Sequence, residues 1–344
     1  MTVVNAPSKV LLTGANGFIA VWILRYLLEA GYSVRGTVRS ASKGDYLKRK
    51  FAQYGDKLEI EEVADITAPG AFDKSVVGVD AVLHTASPVT FTGTYDGEPQ
   101  AVVVPAIEAT KTLLESVLKH GTSVKRVIVT SSVVALMQPH GNSYTYTDKD
   151  WNEYAIDEVT KNKEGAPAYL FYFAAKALAE KEAWLFYGLH KREIKWDLTT
   201  ILPPYVFGPL IHETDVAQTN GKPQSFLYGN LMQERDAKAL GNEGGAWIDV
   251  RDTATGHVRA LQVAEASEER LIISAGTFFW QDVLDTVASV EPKIEGIPRG
   301  VPGVERGSAS GPDSSKANRI LGLKYISLAE SVADAIKTVR ELSA

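Results

Sequence analysis

Lys9-Val10-Leu11-Leu12-Thr13-Gly14-Ala15-Asn16-Gly17-Phe18-Ile19-Ala20 decides how the rest of the chain is read. Lys9 to Thr13 is a short apolar run of strand length. Gly17 to Glu29 carries Ile19, Ile23, Leu24, Leu27 and Leu28 on one helical stripe, and Gly31 is placed to stop that helix. Between strand and helix stands G-x-x-G-x-x-A. Gly14 permits a tight turn, Gly17 lets backbone approach a pyrophosphate, and Ala20 keeps the helix close to the strand. Free N–H groups at the helix start would hold the anion. A glycine turn with no ligand has the same letters. Its place after the first strand of an alternating series favours the nucleotide.

That alternation continues outward. Ser33 to Val38, Leu58 to Val63, Ala81 to His84 and Arg126 to Thr130 read as strands, and Ser42 to Tyr54 as a basic helix. Helical patterns lie around Ala71 to Val77 and Val104 to His120. Such a series predicts a parallel sheet covered on both faces, a Rossmann-type doubly wound α/β fold. Further on, Tyr169 to Tyr187 predicts a strong helix, and Leu198 to Leu202 a strand ending at Pro203-Pro204. Phe207 to Gly245 is rich in turn formers, and Glu291 to Pro312 reads as a Gly- and Pro-rich loop. Val250 to Ala264, Gln281 to Val290 and Leu328 to Leu342 read as helices, and Arg270 to Ser274 as a strand. The expected division is a nucleotide-binding domain over 1–200. Residues 201–344 would form mainly a smaller C-terminal substrate-binding lobe, with some segments returning to the first domain.

Composition narrows the function. The chain has 344 residues, 45% hydrophobic and 23% charged, which is ordinary for a globular protein. A net charge of −6 argues against general affinity for nucleic acid. With no cysteine, a disulfide framework, a thiolate metal site and a cysteine nucleophile are excluded. The histidines at 84, 120, 140, 190, 212 and 257 are scattered and form no H-E-x-x-H, so no metal is expected. No apolar run is long enough to span a bilayer, and MTVVNAPSKVLLTG lacks the layout of a secretory signal. A cytoplasmic protein is the expectation. Gly307 to Gly311 centres on Ala309 and is no nucleophile elbow, and there is no Walker A sequence.

The end of the second strand normally reads the adenosine ribose. Gly36-Thr37-Val38-Arg39-Ser40-Ala41-Ser42-Lys43 contains no carboxylate for a 2′-hydroxyl. Arg39 offers a planar fork for a 2′-phosphate and Lys43 a second positive charge, which points to NADPH. The plainer alternative is a pair of solvated charges like Lys48 to Lys50. Asp65-Ile66 follows the third strand, as an adenine contact or a helix cap. Thr85, Ala86 and Ser87 are small enough to let a cofactor cross the sheet edge, while His84 reads as a packed strand-end residue rather than a base.

Tyr172 and Lys176 stand four apart in the strong helix and so share a face. A phenol titrates near 10; a neighbouring cation stabilises the phenolate and fits the group for proton transfer to a carbonyl oxygen. Chance also puts Tyr and Lys four apart on many helices. Val127-Ile128-Val129-Thr130-Ser131-Ser132-Val133 adds two serines at the C-terminal end of a parallel strand, where open α/β sheets bind ligands. Phe91, Met137, Tyr205, Phe226 and Trp247 are candidates for an apolar substrate pocket, although each taken singly reads more readily as core or loop packing.

With these residues in place, the chain resembles an extended short-chain dehydrogenase/reductase. More closely, it resembles the fungal and yeast NADPH-dependent aldehyde and ketone reductases, relatives of plant dihydroflavonol 4-reductase. The markers are TGANGFIA at 13–20, GTVRSASK at 36–43, HTASPV at 84–89, VTSSVVAL at 129–136, YFAAKALAEKEAW at 172–184, PPYVFGP at 203–209 and WIDVRD at 247–252. The resemblance covers essentially the whole chain. It implies that Tyr172 is the general acid, that Lys176 lowers its pKa and orients the nicotinamide ribose, and that Ser132 polarises the substrate carbonyl. It places Gly14, Asn16, Gly17, Phe18, Ile19, Arg39, Lys43, Asp65, Ile66, Thr85, Ala86, Ser87, Thr130, Pro203, Tyr205 and Val206 along NADPH. The family usually has serine where this chain has Ala175 and a small residue where it has Phe173, departures that bear on pocket shape. The expected partner is a small carbonyl substrate, with no nucleic acid or membrane, for a monomer or homodimer. Two other readings share the motifs. A nucleotide-sugar epimerase or dehydratase holding NAD is disfavoured by Arg39, and an NADP(H)-sensing regulator without catalysis is disfavoured by the intact Tyr and Lys pair.

Overall fold

Val10, Leu11 and Leu12 are all fully buried, so the first strand is covered on both faces. The computed structural model describes residues 3–88, 100–140, 143–162, 165–213, 226–289 and 296–343. In chain order its first elements are β1 (Lys9–Thr13), α1 (Phe18–Glu29), β2 (Ser33–Val38), α2 (Ala41–Lys50), β3 (Leu58–Glu62), β4 (Ala81–His84), α3 (Gln100–His120), β5 (Arg126–Thr130), β6 (Thr145–Tyr146), α4 (Glu153–Asn162) and α5 (Ala168–His190). Then come β7 (Asp197–Leu202), β8 (Tyr205–Phe207), α6 (Phe226–Leu231), α7 (Ala237–Asn242), β9 (Gly244–Asp249), α8 (Val250–Gln262), β10 (Arg270–Ile272), β11 (Gly276–Phe279), α9 (Trp280–Ser289), β12 (Gly311–Pro312), α10 (Ser315–Leu321) and α11 (Leu328–Ser343).

Among the described residues the main sheet has seven strands, ordered β10-β7-β5-β4-β1-β2-β3, with every neighbouring pair parallel. This is a Rossmann-type α/β fold. Side chains alternate across each strand. Val10, Leu12, Leu83 and Ile128 pack with α1 and α8 on one face, while Leu11, Val82 and Val127 pack with α3 and α5 on the other. The chain runs outward from β1 to β3, then returns to lay β4 on the opposite side of β1. That reversal opens a crevice beyond the C-terminal strand ends, where such sheets bind ligands.

Arg126 anchors the frame. It is fully buried, grips Asp197 through Nε at 2.6 Å and a terminal nitrogen at 2.9 Å, and donates to the carbonyls of Ala260 and Val263 at 2.6 Å. One guanidinium therefore ties the starts of β5 and β7 to the end of α8, with its charge paired and its donors used. A second core forms around β8, β9 and β11, which make a three-stranded sheet ordered β11-β9-β8. Phe207, Trp247, Phe278 and Trp280 cluster there, with ring centroids 6.0, 5.2 and 5.1 Å apart along the series Trp247–Phe207–Phe278–Trp280.

Several elements differ from the sequence expectations. Ala71 to Val77 is a run of turns, because Gly70 and Gly78 take φ of +75° and +72° and leave too few residues for a stable helix. The basic helix stops at Lys50 and passes into a 3-10 turn over Ala52–Lys57, broken at Gly55 with φ +52°. Helix α3 begins at Gln100, and Pro105 sits near its start. Helix α4 was not anticipated; Asn152 caps it, accepting from the Ala155 N–H at 2.9 Å. Strand β8 has only three residues, and β9 and β11 each open on glycine, so their pairing carries no local signal.

Candidate active site

The turn after β1 is built on Gly14, whose φ of +66° favours glycine and whose missing Cβ would lie 3.1 Å from the Cα of Ala86. Thr37 in β2 secures the turn, accepting from the Gly14 N–H at its hydroxyl, 3.3 Å, and from the Ala15 N–H at its carbonyl, 2.9 Å. Helix α1 then starts just after Gly17, its N-cap residue, with no side-chain cap. Its first-turn N–H groups open onto a cleft of about 430 Å³ lined on that side by Gly14, Gly17, Phe18 and Ile19.

Two neutral histidines fix the hydroxyls at the strand ends. Thr13 Oγ1 accepts from the N–H groups of Thr85 and Ala86, each at 3.1 Å, so its own proton goes to Nδ1 of His84 at 2.9 Å. Burial pushes His84 down to about 3, with the Lys176 ammonium acting in the same direction. Nδ1 of His257 lies 2.8 Å from the Thr253 carbonyl and must carry the proton there. Nε2 therefore accepts from the Thr130 hydroxyl at 2.8 Å, and burial holds His257 neutral, at about 4.

Across the cleft, α5 presents Tyr172, Phe173 and Lys176 to the lining, opposite Thr130, Ser131 and Ser132 at the end of β5. Loss of water around the Lys176 ammonium brings it down to about 8, against the opposing pull of Glu180 one turn along. Ser132 is 8% exposed; its hydroxyl donates to the Pro203 carbonyl at 3.3 Å and accepts from the Val134 N–H at 3.4 Å. Both bonds are long, leaving the hydroxyl free to turn to a ligand. Pro203, Pro204, Tyr205 and Val206 form the floor, and Gly244, Gly245 and Ala246 of β9 the far wall. That wall exists because Gly244 lacks a side chain: a Cβ there would fall 1.9 Å from the Phe278 carbonyl oxygen.

The cleft thus collects Gly14, Gly17, Phe18, Ile19, Thr85, Thr130, Ser132, Met137, Tyr172, Lys176, Pro203, Tyr205 and Val206 from the residues expected at the site. Asn16, Ala86 and Ser87 are half-buried beside lining residues. Arg39 stands exposed at the end of β2, and Lys43 pairs with Glu213 at 2.9 Å. Asp65 is exposed and accepts from the Thr67 N–H and hydroxyl at 2.9 and 2.7 Å, which holds its carboxyl below the usual range. Ile66 packs against the α3 and α5 face of the sheet. Trp247 does not reach the cleft: it is 5% exposed and stacks on Phe207. Phe91 lies outside the described residues, and Phe226 opens α6 with its side chain outside them too.

A family model described as the NAD dependent epimerase/dehydratase family matches residues 10–276. The chain belongs to that family. It is 34% identical over 338 residues to the NADPH-dependent methylglyoxal reductase GRE2 of Saccharomyces cerevisiae, covering 95% of this chain and 96% of that protein. It is 36% identical over 291 residues to aldehyde reductase 2 of Sporidiobolus salmonicolor, covering 83% and 82% respectively. The crystal structure of Gre2 from Candida albicans in complex with NADPH matches at a TM-score of 0.85 and 30% identity, over 98% of this chain and 99% of that one. The resemblance drawn from the motifs is borne out.

Sequence reasoning missed Glu180, Arg270, His257 and the β9 wall. Glu180 did leave a trace, as a carboxylate one turn beyond Lys176 among alanines. The others act through tertiary contacts with no local pattern.

Proposed function

We propose that this chain reduces aldehydes and ketones to alcohols with NADPH as hydride donor. The observation that carries the reading is the convergence of Tyr172, Lys176 and Ser132 on one cleft with the uncapped start of α1. The residues fit a dinucleotide. Gly14 and Gly17 leave the turn open to a pyrophosphate. The Thr130 hydroxyl, its proton engaged by His257, is left to act as an acceptor. The exposed Arg39 after β2, with Lys43 once it leaves Glu213, would take a 2′-phosphate.

When bound, NADPH supplies a hydride to the carbonyl carbon. Tyr172 donates its phenolic proton to the carbonyl oxygen as charge grows there. The Lys176 ammonium stabilises the phenolate that remains, and would hold a ribose hydroxyl of the bound cofactor. Ser132 turns its hydroxyl proton from the Pro203 carbonyl to the substrate oxygen and holds it in register with Tyr172. His84 takes no part as a base, since it stays neutral down to about 3.

Among the described lining residues Lys176 alone is charged, and Met137, Phe173 and Tyr205 give apolar walls. That suits small to medium aldehydes, α-keto esters, diketones and aryl ketones, and among the described lining residues there is no second cationic group of the kind a nucleotide-sugar diphosphate needs. The substrate lobe is assigned to residues 201–344, with α8 and β10 serving the main sheet. A cytoplasmic location and a monomeric or homodimeric state are part of this proposal.

The test is a panel of these carbonyls assayed with NADPH and NADH, following cofactor absorbance. NADPH-dependent turnover of at least one class is expected. Tight NADPH binding without turnover of any class would favour a sensing regulator, and retained NAD after purification an epimerase.

A further inference from the structure

We propose that Glu180 is a positioning residue for this reduction: its carboxylate fastens α5, which carries Tyr172 and Lys176, to the strand end that carries Ser132. Glu180 is 1% exposed and lies one turn beyond Lys176 on the same helix. Its Oε2 accepts from the Ser131 hydroxyl at 2.7 Å and from a terminal nitrogen of Arg270 at 3.2 Å. Its Oε1 accepts from the Thr200 hydroxyl at 2.8 Å, Arg270 Nε at 2.8 Å and the Trp184 indole at 3.4 Å. Five donors leave this carboxylate no lone pair for a substrate proton, so it acts through others.

The placement of those donors gives the bond its function. Ser131 lines the cleft between Thr130 and Ser132, and the Ser131 N–H is held by the Ile201 carbonyl at 2.8 Å. Ser132 continues in extended backbone, φ −162° and ψ 155°. Once Ser131 is pinned at backbone and side chain, the direction of Ser132 is set, and the pin is a group on the helix that bears the phenol and ammonium. Arg270 keeps the charge paired and is itself fixed, donating to the carbonyls of Asp148 and Asp150 at 2.5 and 2.9 Å and lying 3.6 Å over the Trp151 ring. The ammonium of Lys176 and the hydroxyls of Tyr172 and Ser132 thereby share one rigid reference point.

The proposal rests on the roles given above to Tyr172, Lys176 and Ser132. Its test is a double-mutant cycle on two small changes that spare the Glu180–Arg270 ion pair. S131A cuts the tie at the cleft, and T200V cuts it at β7, outside the cleft lining. Expected are a fall in kcat of about tenfold for S131A and about threefold for T200V. KM for the carbonyl and Kd for NADPH should stay within about twofold of wild type. The double variant should match S131A alone, because both changes act through one carboxylate. Wild-type kcat in either single variant overturns the proposal. So does strict additivity, or a loss of rate that only follows the loss of folded protein by circular dichroism. Tyr172→Phe separates the two layers. Full turnover there overturns the reading of the site together with Glu180's role. An inactive Y172F beside unchanged S131A and T200V overturns Glu180's role alone.

Discussion

Thr130 gives its hydroxyl proton to Nε2 of His257 across 2.8 Å. The histidine has no freedom in this, because its Nδ1 proton is committed to the Thr253 carbonyl. Thr130 therefore faces the cleft as an acceptor only, suited to a donor such as a ribose hydroxyl. Thr130→Val should weaken NADPH binding by about three- to tenfold in a fluorescence titration, and Thr130→Ser should restore it. Equal binding by all three proteins would show that nothing on the cofactor uses this oxygen.

Lys176 sets a pH limit on the reaction. Its ammonium sits at about 8 because burial disfavours the charge. Below that value the cation stands beside Tyr172 and supports proton donation; above it the charge is lost. Values of kcat/KM for carbonyl reduction should therefore fall as pH rises through about 8, reporting the free enzyme. A flat profile up to about pH 10, where an unperturbed phenol titrates, would contradict this.

Arg39 is assigned to the 2′-phosphate on sequence position and on its exposed place after β2. Arg39→Ala should raise Kd for NADPH by about tenfold or more, the cost of a charge-assisted hydrogen bond, while NADH binding stays within about twofold. Equal losses for the two cofactors would remove Arg39 from the phosphate site.

Asp252 supplies a stability prediction independent of catalysis. Burial pushes its carboxyl up to about 6, and the Ile326 N–H, donating at 2.8 Å, only partly offsets this. An unfolded aspartate titrates near 3.9, so in that window the folded state binds the proton more tightly. The contribution of this group to stability is therefore greatest in acid and declines as pH rises through about 6. Asp252→Asn keeps an acceptor for Ile326 and removes the buried charge. It should raise the unfolding free energy by about 1–3 kcal/mol at pH 8 and change little at pH 4. Denaturant melts at the two pH values check the difference, and destabilisation at both would refute it.

The parts of this fold that were legible in sequence are those whose residues carry their own reason. Val10 to Leu12 and Val127 to Val129 are continuous apolar runs because helices cover both sides of the sheet. Gly14 announces the turn because its backbone conformation favours glycine. Tyr172 and Lys176 reach the cleft together because helical spacing alone puts them on one face. What stayed hidden depends on partners far away in the chain. Trp247 could line a pocket although a lone tryptophan more readily reads as packing, and its stacking on Phe207 decides for core. Gly244 and Gly245 look like loop glycines until β11 pairs with β9 and turns them into the cleft wall. Arg270 looks like a strand-edge charge until α5 brings Glu180 to it.

The central claim is that the phenol of Tyr172 protonates the carbonyl oxygen while NADPH delivers hydride. Single-turnover oxidation of bound NADPH by a reactive α-dicarbonyl, in wild type and in Tyr172→Phe, tests it most directly. The account predicts a rate lower by about a hundred- to ten-thousandfold in the variant, the range expected when a general acid is lost, with Kd for NADPH within about twofold of wild type. A variant that binds NADPH normally and turns over within about threefold of wild type would contradict it.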